Sequence, residues 1–118
     1  MKRRFAAIVP AVAAVAFALP LTLSTPAVAA APCGTTAADA DGSAWNRTGG
    51  NGVNMRSGSY TTCASHGLIY PTDRLDYHCY TVAGSYTWTY LRNDTAAPDT
   101  YGWVRDDLLS DGGSTVPC

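Results

Sequence analysis

The chain has 118 residues, of which eight are Lys or Arg and nine are Asp or Glu, giving a formal net charge of −1. Three of the basic residues lie within the first four positions, so residues 31–118 carry five arginines against nine aspartates, a net charge of −4. This acidic balance argues against nucleic-acid binding, because contacts to phosphates need a basic face. The length of this part predicts one small domain.

The first 30 residues have the pattern of a secretory signal peptide. Residues 2–4 are basic, an apolar run extends from Phe5 to Leu23, and small residues follow at 27–30. This order is what a signal peptidase recognises, and we expect cleavage after Ala29 or Ala30. The prolines in the run and its Ala-x-Ala end favour cleavage over a membrane anchor. The mature protein is therefore predicted to be secreted, with no membrane segment.

Cleavage after Ala31 is disfavoured because Pro32 would follow the scissile bond. Pro32 also argues against a lipoprotein, since a small residue is needed immediately before the cysteine that is lipidated, here Cys33. We divide the rest of the chain into a loop-like N-terminal arm (31–50), a folded domain (51–110) and a C-terminal tail (111–118). The arm is rich in small and polar residues, and Trp45 is its one large apolar residue.

Short segments with alternating apolar and polar residues begin after the arm. Val53 and Met55 alternate with Asn54 and Arg56, and we expect both apolar side chains to face a core. Turn residues separate further strands, which we place at 68–70, 75–82, 86–91 and 101–105, with a tight turn at 106–109. No stretch shows a sustained helical stripe. The pattern predicts an all-β domain of short antiparallel strands, a sandwich or a barrel.

Four cysteines in an exported chain predict two disulfides, which supplement the small core of a short domain. Of the three possible pairings we expect Cys63–Cys79, which closes a local loop, and Cys33–Cys118, which ties the two ends. A zinc site made of Cys63, His66, His78 and Cys79 is the alternative. Adjacent residues on a strand point to opposite faces, which argues against His78 and Cys79 sharing an ion. We expect no metal and no cofactor.

Three motifs in order resemble the bacterial SH3-like (SH3b) domains. The segment GVNMRSG at 52–58 is similar to their first strand, Trp88-x-Tyr90-Leu91 to a later strand, and Gly102-Trp103-Val104 followed by Leu109 to the closing strand and turn. Ser59 departs from the usual proline, and Met55 from Val or Ile. The resemblance covers about residues 51–110 and implies a small SH3-like β-barrel. In that family such domains are often wall-binding appendages of hydrolases, and no hydrolase is seen in this sequence.

The resemblance implies a shallow groove between loops that binds cell-wall peptide. Residues 31–118 contain three Trp and seven Tyr, which are rigid side chains suited to such contacts. Arg56 can bind a carboxylate through two parallel hydrogen bonds. The predicted ligand-binding residues are Asn54, Arg56, Tyr60, Tyr77, Trp88, Tyr90 and Trp103, although alternation requires some of these aromatic residues to fill the core.

No catalytic constellation stands out in the sequence. His66 is expected in a turn and His78 in mid-strand, facing away from Tyr77 and Cys79, while the neighbours Asp106 and Asp107 should diverge. We therefore expect a monomeric, non-catalytic binding module for peptidoglycan peptide. The alternative is a secreted inhibitor or effector whose partner is an extracellular protein. A small hydrolase using the two histidines is the least favoured hypothesis.

Overall fold

The computed structural model describes residues 29–45, 50–95 and 97–118. The predicted signal peptide lies outside the described residues except for Ala29 and Ala30. Five antiparallel strands form one sheet, followed by a 3-10 helix. The elements are β1 (Val53–Arg56), β2 (Ser65–Ile69), β3 (Leu75–Ala83), β4 (Tyr86–Asn93), β5 (Thr100–Arg105) and the 3-10 helix (Asp106–Leu108). Within the described ranges, no helix is long and apolar enough to cross a membrane.

The predicted all-β class with short antiparallel strands is confirmed, and Val53 and Met55 are both buried. The sheet order is β2-β1-β5-β4-β3, so β2 and β3 follow each other in the chain yet form opposite edges. The sheet is therefore not closed into the predicted barrel. The predicted turn at His66 is wrong, because the residues on either side of it pair with Met55 and Arg56 and place His66 on β2.

The outer edge of β3 is occupied by the two ends of the folded part, which leaves little of it for β2 to pair with. From the arm, Ala40 N and Asp41 N both donate to His78 O, at 2.9 and 2.8 Å. From the tail, Val116 O accepts from Tyr80 N and Cys118 N donates to Tyr80 O. Covering an edge in this way satisfies its backbone groups and prevents pairing with other chains.

The core consists of two clusters, and a bulge in β3 places Tyr77 in one and Cys79 in the other. The pairing of β3 with β4 shifts register between Tyr77 and Cys79, so these two residues no longer share a face as strict alternation predicts. Tyr77 packs in a cluster with Met55, Leu91 and other apolar residues, whereas Cys79 packs in a second cluster. On β4 and β5, Leu91 and Val104 belong to the first cluster, whereas their neighbours Tyr90 and Trp103 belong to the second. Adjacent residues of a strand point to opposite faces, so the two clusters lie on opposite faces of the sheet.

The arm covers the second of these clusters. The apolar residues of this second cluster are Ala31, Cys79, Ala83, Trp88, Tyr90 and Trp103, with Ala30 and Ala37 packed against them. Trp103 Nε1 donates to Thr35 O at 2.8 Å, and His78 Nδ1 lies 3.1 Å from Ala37 O. The arm thus forms a second layer over one face of the sheet, and it explains why His78 is buried despite its position on an edge strand.

The predicted disulfide pairing is wrong. The structure pairs Cys33 with Cys63 and Cys79 with Cys118. The arm runs beside the loop of residues 57–64, where Gly34 N donates to Ser57 O, and this brings Cys33 to Cys63. The tail runs beside β3 and brings Cys118 to Cys79. Each bond is expected to contribute about 2–4 kcal/mol to stability, and the pair is consistent with an extracellular protein.

Candidate functional site

The seven predicted ligand-binding residues fall into different environments. Tyr77 is 2% exposed and its hydroxyl donates to Asp111 Oδ1 at 2.7 Å, so it fills the core. Trp103 is also 2% exposed and is held beneath the arm. Alternation alone does not identify Trp103 as buried, because the arm that covers it carries no periodic signal. The other five residues line two open clefts.

The first cleft, here called the arginine groove, consists of two adjoining hollows of about 200 and 240 Å³. Both are lined by Thr61, Trp88 and Arg105. The loop 57–64, the β3–β4 turn and the 3-10 helix form its walls. Its lining residues are Asn54, Arg56, Ser59, Tyr60, Thr61, Ala83, Gly84, Tyr86, Trp88, Arg105 and Leu108.

Four predicted residues meet in this groove: Asn54, Arg56, Tyr60 and Trp88. Trp88 is buried and forms the floor, while Tyr60 is 44% exposed on the wall. Sequence reasoning missed Tyr86, Arg105 and Leu108. Tyr86 lies two residues before Trp88 on β4, and the alternation that puts both side chains on one face was the available signal for it. Arg105 and Leu108 follow the closing motif and gave no chemical signal of their own.

Both arginines of the groove are held in place by the protein while keeping donors for a ligand. Arg56 Nη1 donates to Cys63 O at 3.1 Å. Arg105 Nε donates to Asp107 Oδ1 at 2.6 Å, and its guanidinium carbon lies 4.3 Å from the centre of the Tyr86 ring. A guanidinium carries five N–H donors, so one such bond leaves others to bind an anion.

The second cleft, here called the arm cleft, has a volume of about 350 Å³ and lies between the arm, β1, β2 and β5. Its lining residues are Gly34, Thr35, Thr36, Arg56, Ser57, His66, Tyr90, Asp99, Thr100, Tyr101 and Gly102. Arg56 borders both clefts. Burial, together with the neighbouring Tyr101, raises the pKa of Tyr90 above its ordinary value.

A third cluster gathers Asp39, Asp76 and His78, whose nearest side-chain oxygen and nitrogen atoms lie within 4.8 Å of one another. Burial and the charge of Asp39 raise the pKa of Asp76, although His78 and Arg92 act in the opposite direction. Arg92 Nη2 lies 3.6 Å from Asp76 Oδ2 and supplies a positive charge there.

The alternative zinc site made of Cys63, His66, His78 and Cys79 is wrong, because the sulfurs of Cys63 and Cys79 are both in disulfides.

The groups considered for catalysis are dispersed. His66 is exposed on β2, whereas His78 is buried under the arm. Asp106 is buried and accepts a hydrogen bond from Thr89 Oγ1, whereas Asp107 is exposed and contacts Arg105. The two neighbouring carboxylates therefore diverge, as the sequence predicts.

No protein-family model, curated protein or solved structure matches the chain. The SH3b resemblance consequently rests on the three sequence motifs. The five-stranded antiparallel sheet and the two disulfides are established by the structure, independently of that resemblance.

Proposed function

We propose that this protein is a secreted, non-catalytic, SH3b-like binding module that binds the peptide of the bacterial cell wall in the arginine groove. The observation that carries the proposal is the combination of an aromatic floor and wall with two arginines in one open groove. The apolar and the charged parts of this arrangement support the proposal separately.

The apolar part offers contact area at low entropic cost. Three large apolar side chains border the groove with much of their surface in solvent: Tyr60 is 44% exposed, Tyr86 47% and Leu108 42%. They surround the buried Trp88. Rigid aromatic side chains around a desolvated centre are typical of sites that bind peptides.

The charged part selects an anion. Residues 31–118 have a net charge of −4, yet two of their five arginines, Arg56 and Arg105, line this groove. A wall stem peptide carries free carboxylates, which guanidinium groups bind through charge-assisted hydrogen bonds. Charge complementarity therefore favours an acidic peptide over a neutral or basic one.

Calorimetric titration of the oxidised protein with a soluble stem peptide tests the proposal. We expect saturable binding that Arg105→Gln weakens about tenfold or more, because a hydrogen bond to a charged group contributes about 1.5–3 kcal/mol. Tyr60→Ala should also weaken binding. Arg74→Gln and Tyr70→Ala are the matched controls, since Arg74 and Tyr70 are exposed and line neither hollow of the groove.

Equal affinity of the Arg105→Gln and Arg74→Gln variants would contradict the proposed site. Absence of binding to any stem peptide would contradict the wall ligand. If the protein instead bound an acidic segment of an extracellular protein with the same dependence on Arg105, it would be a protein-binding inhibitor or effector.

A further inference from the structure

We infer that the arm cleft is a second binding site, whose ligand is an uncharged saccharide unit. This site is distinct from the arginine groove, and the inference does not depend on the groove binding peptide. It follows from how the cleft is built, from the aromatic surface it offers and from the balance of its polar groups.

The cleft is a constructed feature of the fold. Its outer wall is the arm at residues 34–36, fixed by the Cys33–Cys63 disulfide on one side and by the bond from Trp103 Nε1 to Thr35 O on the other. Gly34 N donates to Ser57 O at 2.8 Å, which attaches the arm to the end of β1. A wall held at three points keeps the cleft open before a ligand arrives, which lowers the entropic cost of binding.

The cleft offers an aromatic surface to the ligand. The rings of Tyr90 and Tyr101 lie 6.3 Å apart, centre to centre, at an angle of 24°. Tyr90 is buried beneath, whereas Tyr101 is 41% exposed, so part of the Tyr101 ring faces solvent. The C–H face of a pyranose ring packs on such a surface, because an aromatic ring has a negative face and a large apolar area.

The polar groups of the cleft are balanced in charge and rich in hydroxyls. Arg56 is the cation of its lining, and Asp99, whose Oδ2 lies 3.9 Å from Arg92 Nη1, is its carboxylate. Thr35, Thr36 and Thr100 add hydroxyls that both donate and accept. A site with one charge of each sign and many neutral donors and acceptors suits a ligand with vicinal hydroxyl or acetamido groups and no net charge. The lining of the arginine groove, in contrast, contains two arginines and, among the described residues, no carboxylate, and Asp107 pairs with Arg105 from outside that lining.

His66 adds an acceptor of defined orientation. Its Nδ1 lies 2.8 Å from Tyr101 O. A carbonyl oxygen only accepts, so Nδ1 carries the proton and Nε2 of the neutral ring is left as an acceptor for a sugar hydroxyl. The same bond joins the imidazole to the residue that provides the aromatic surface.

Arg56 borders both clefts, which places the saccharide site beside the peptide site. A ligand in which a sugar is joined to an acidic peptide would therefore span the two. This last step rests on the proposed function, whereas the saccharide site itself does not.

The test is an NMR titration of the isotope-labelled, oxidised protein with two neutral disaccharides, di-N-acetylchitobiose and cellobiose. We expect backbone shifts at Thr35, His66, Thr100 and Gly102 with at least one of the two. Affinity should change little with added salt, because the ligand is uncharged. Tyr101→Ala should weaken binding about tenfold, with Tyr70→Ala as the control.

Absence of shifts with both disaccharides, or shifts confined to the arginine groove, would overturn the inference. So would equal affinity of the Tyr101→Ala and Tyr70→Ala variants. A separate titration with stem peptide keeps the two conclusions apart. Sugar binding without peptide binding would retain this inference and remove the proposed function, and the reverse result would do the opposite.

Discussion

At the scale of single residues, Asp106 shows how the fold accommodates a buried charge. The carboxylate accepts a hydrogen bond from Thr89 Oγ1, and Thr89 Oγ1 in turn accepts from Ser114 N at 2.8 Å. Burial nonetheless raises the pKa of Asp106 above its ordinary value of 3.8, against the effect of hydrogen bonds from Thr87 and Thr89. The folded state thus binds this proton more tightly than the unfolded state.

The raised pKa of Asp106 predicts that the free energy of unfolding depends on pH. As pH rises from the ordinary value of 3.8 through the folded-state pKa, ionisation of Asp106 lowers the free energy of unfolding. Asp106→Asn keeps an oxygen for Thr89 but does not ionise, so its stability relative to the natural protein should increase over that pH window. Urea denaturation at a series of pH values measures the difference. A difference in free energy of unfolding between the two proteins that stays constant with pH would contradict this prediction.

Gly58 marks a close approach between the loop 57–64 and the arm. A Cβ at this position would lie 2.7 Å from Ala31 O and 2.7 Å from Cys33 N, both backbone atoms that cannot move freely. Gly58→Ala should therefore lower the free energy of unfolding by about 1–3 kcal/mol.

Gly42→Ala is the matched control, because no atom lies within 4 Å of its Cβ position. It should change stability by less than about 0.5 kcal/mol. Thermal unfolding of the two variants beside the natural protein checks both expectations. Similar melting temperatures for the two variants would show that the loop and the arm do not pack as described.

At the scale of elements, the Cys33–Cys63 disulfide does more than join the arm to the loop. Cys63 O accepts the hydrogen bond from Arg56 Nη1, so the same residue carries the cross-link and orients an arginine of the groove. The Cys79–Cys118 disulfide joins β3 to the tail and touches neither arginine in this way.

Removing each disulfide in turn therefore gives two variants that can be compared directly. Replacing Cys33 and Cys63 by alanine should cost about 2–4 kcal/mol of stability and also weaken binding of stem peptide. Replacing Cys79 and Cys118 should cost a similar amount and leave the affinity unchanged. Calorimetry at a temperature where both variants are folded separates the effects. Equal losses of affinity would mean that the first disulfide has no special role in the groove.

The strands that could be predicted are those whose signal is local. Alternation placed β3, β4 and β5 within one or two residues of their bounds. The bulge in β3 could not be predicted, because no turn or glycine residue marks the shift of register between Tyr77 and Cys79 in its pairing with β4. The weak edge strand β2 was predicted only in part, since Ser65 and Gly67 favour a turn when read without their partners on β1.

At the scale of the whole molecule, the path of the arm fixes features of the fold that could not be predicted from the sequence. Residues 31–45 have no periodic pattern, yet they cover one face of the sheet, occupy its β3 edge and fix one disulfide. The Cys33–Cys63 pairing and the burial of Trp103 follow from this long-range placement, and the tail, which lies beside β3, brings Cys118 to Cys79. For the site, the sequence supplied four residues of the arginine groove, and alternation with Trp88 offered a signal for Tyr86 on the same strand. Arg105 joins them only through the β4–β5 pairing, in which Trp88 lies opposite Arg105.

The central claim is that the arginine groove binds wall peptide, and co-sedimentation with purified peptidoglycan tests it most directly. The oxidised protein without its predicted signal peptide, residues 31–118, is spun with the wall in the presence and absence of soluble stem peptide, beside Arg105→Gln and Arg74→Gln. We predict that the natural protein and Arg74→Gln sediment, that free peptide releases them, and that Arg105→Gln stays largely in solution. A natural protein that remains in the supernatant, or an Arg105→Gln variant that sediments equally well, would contradict the claim.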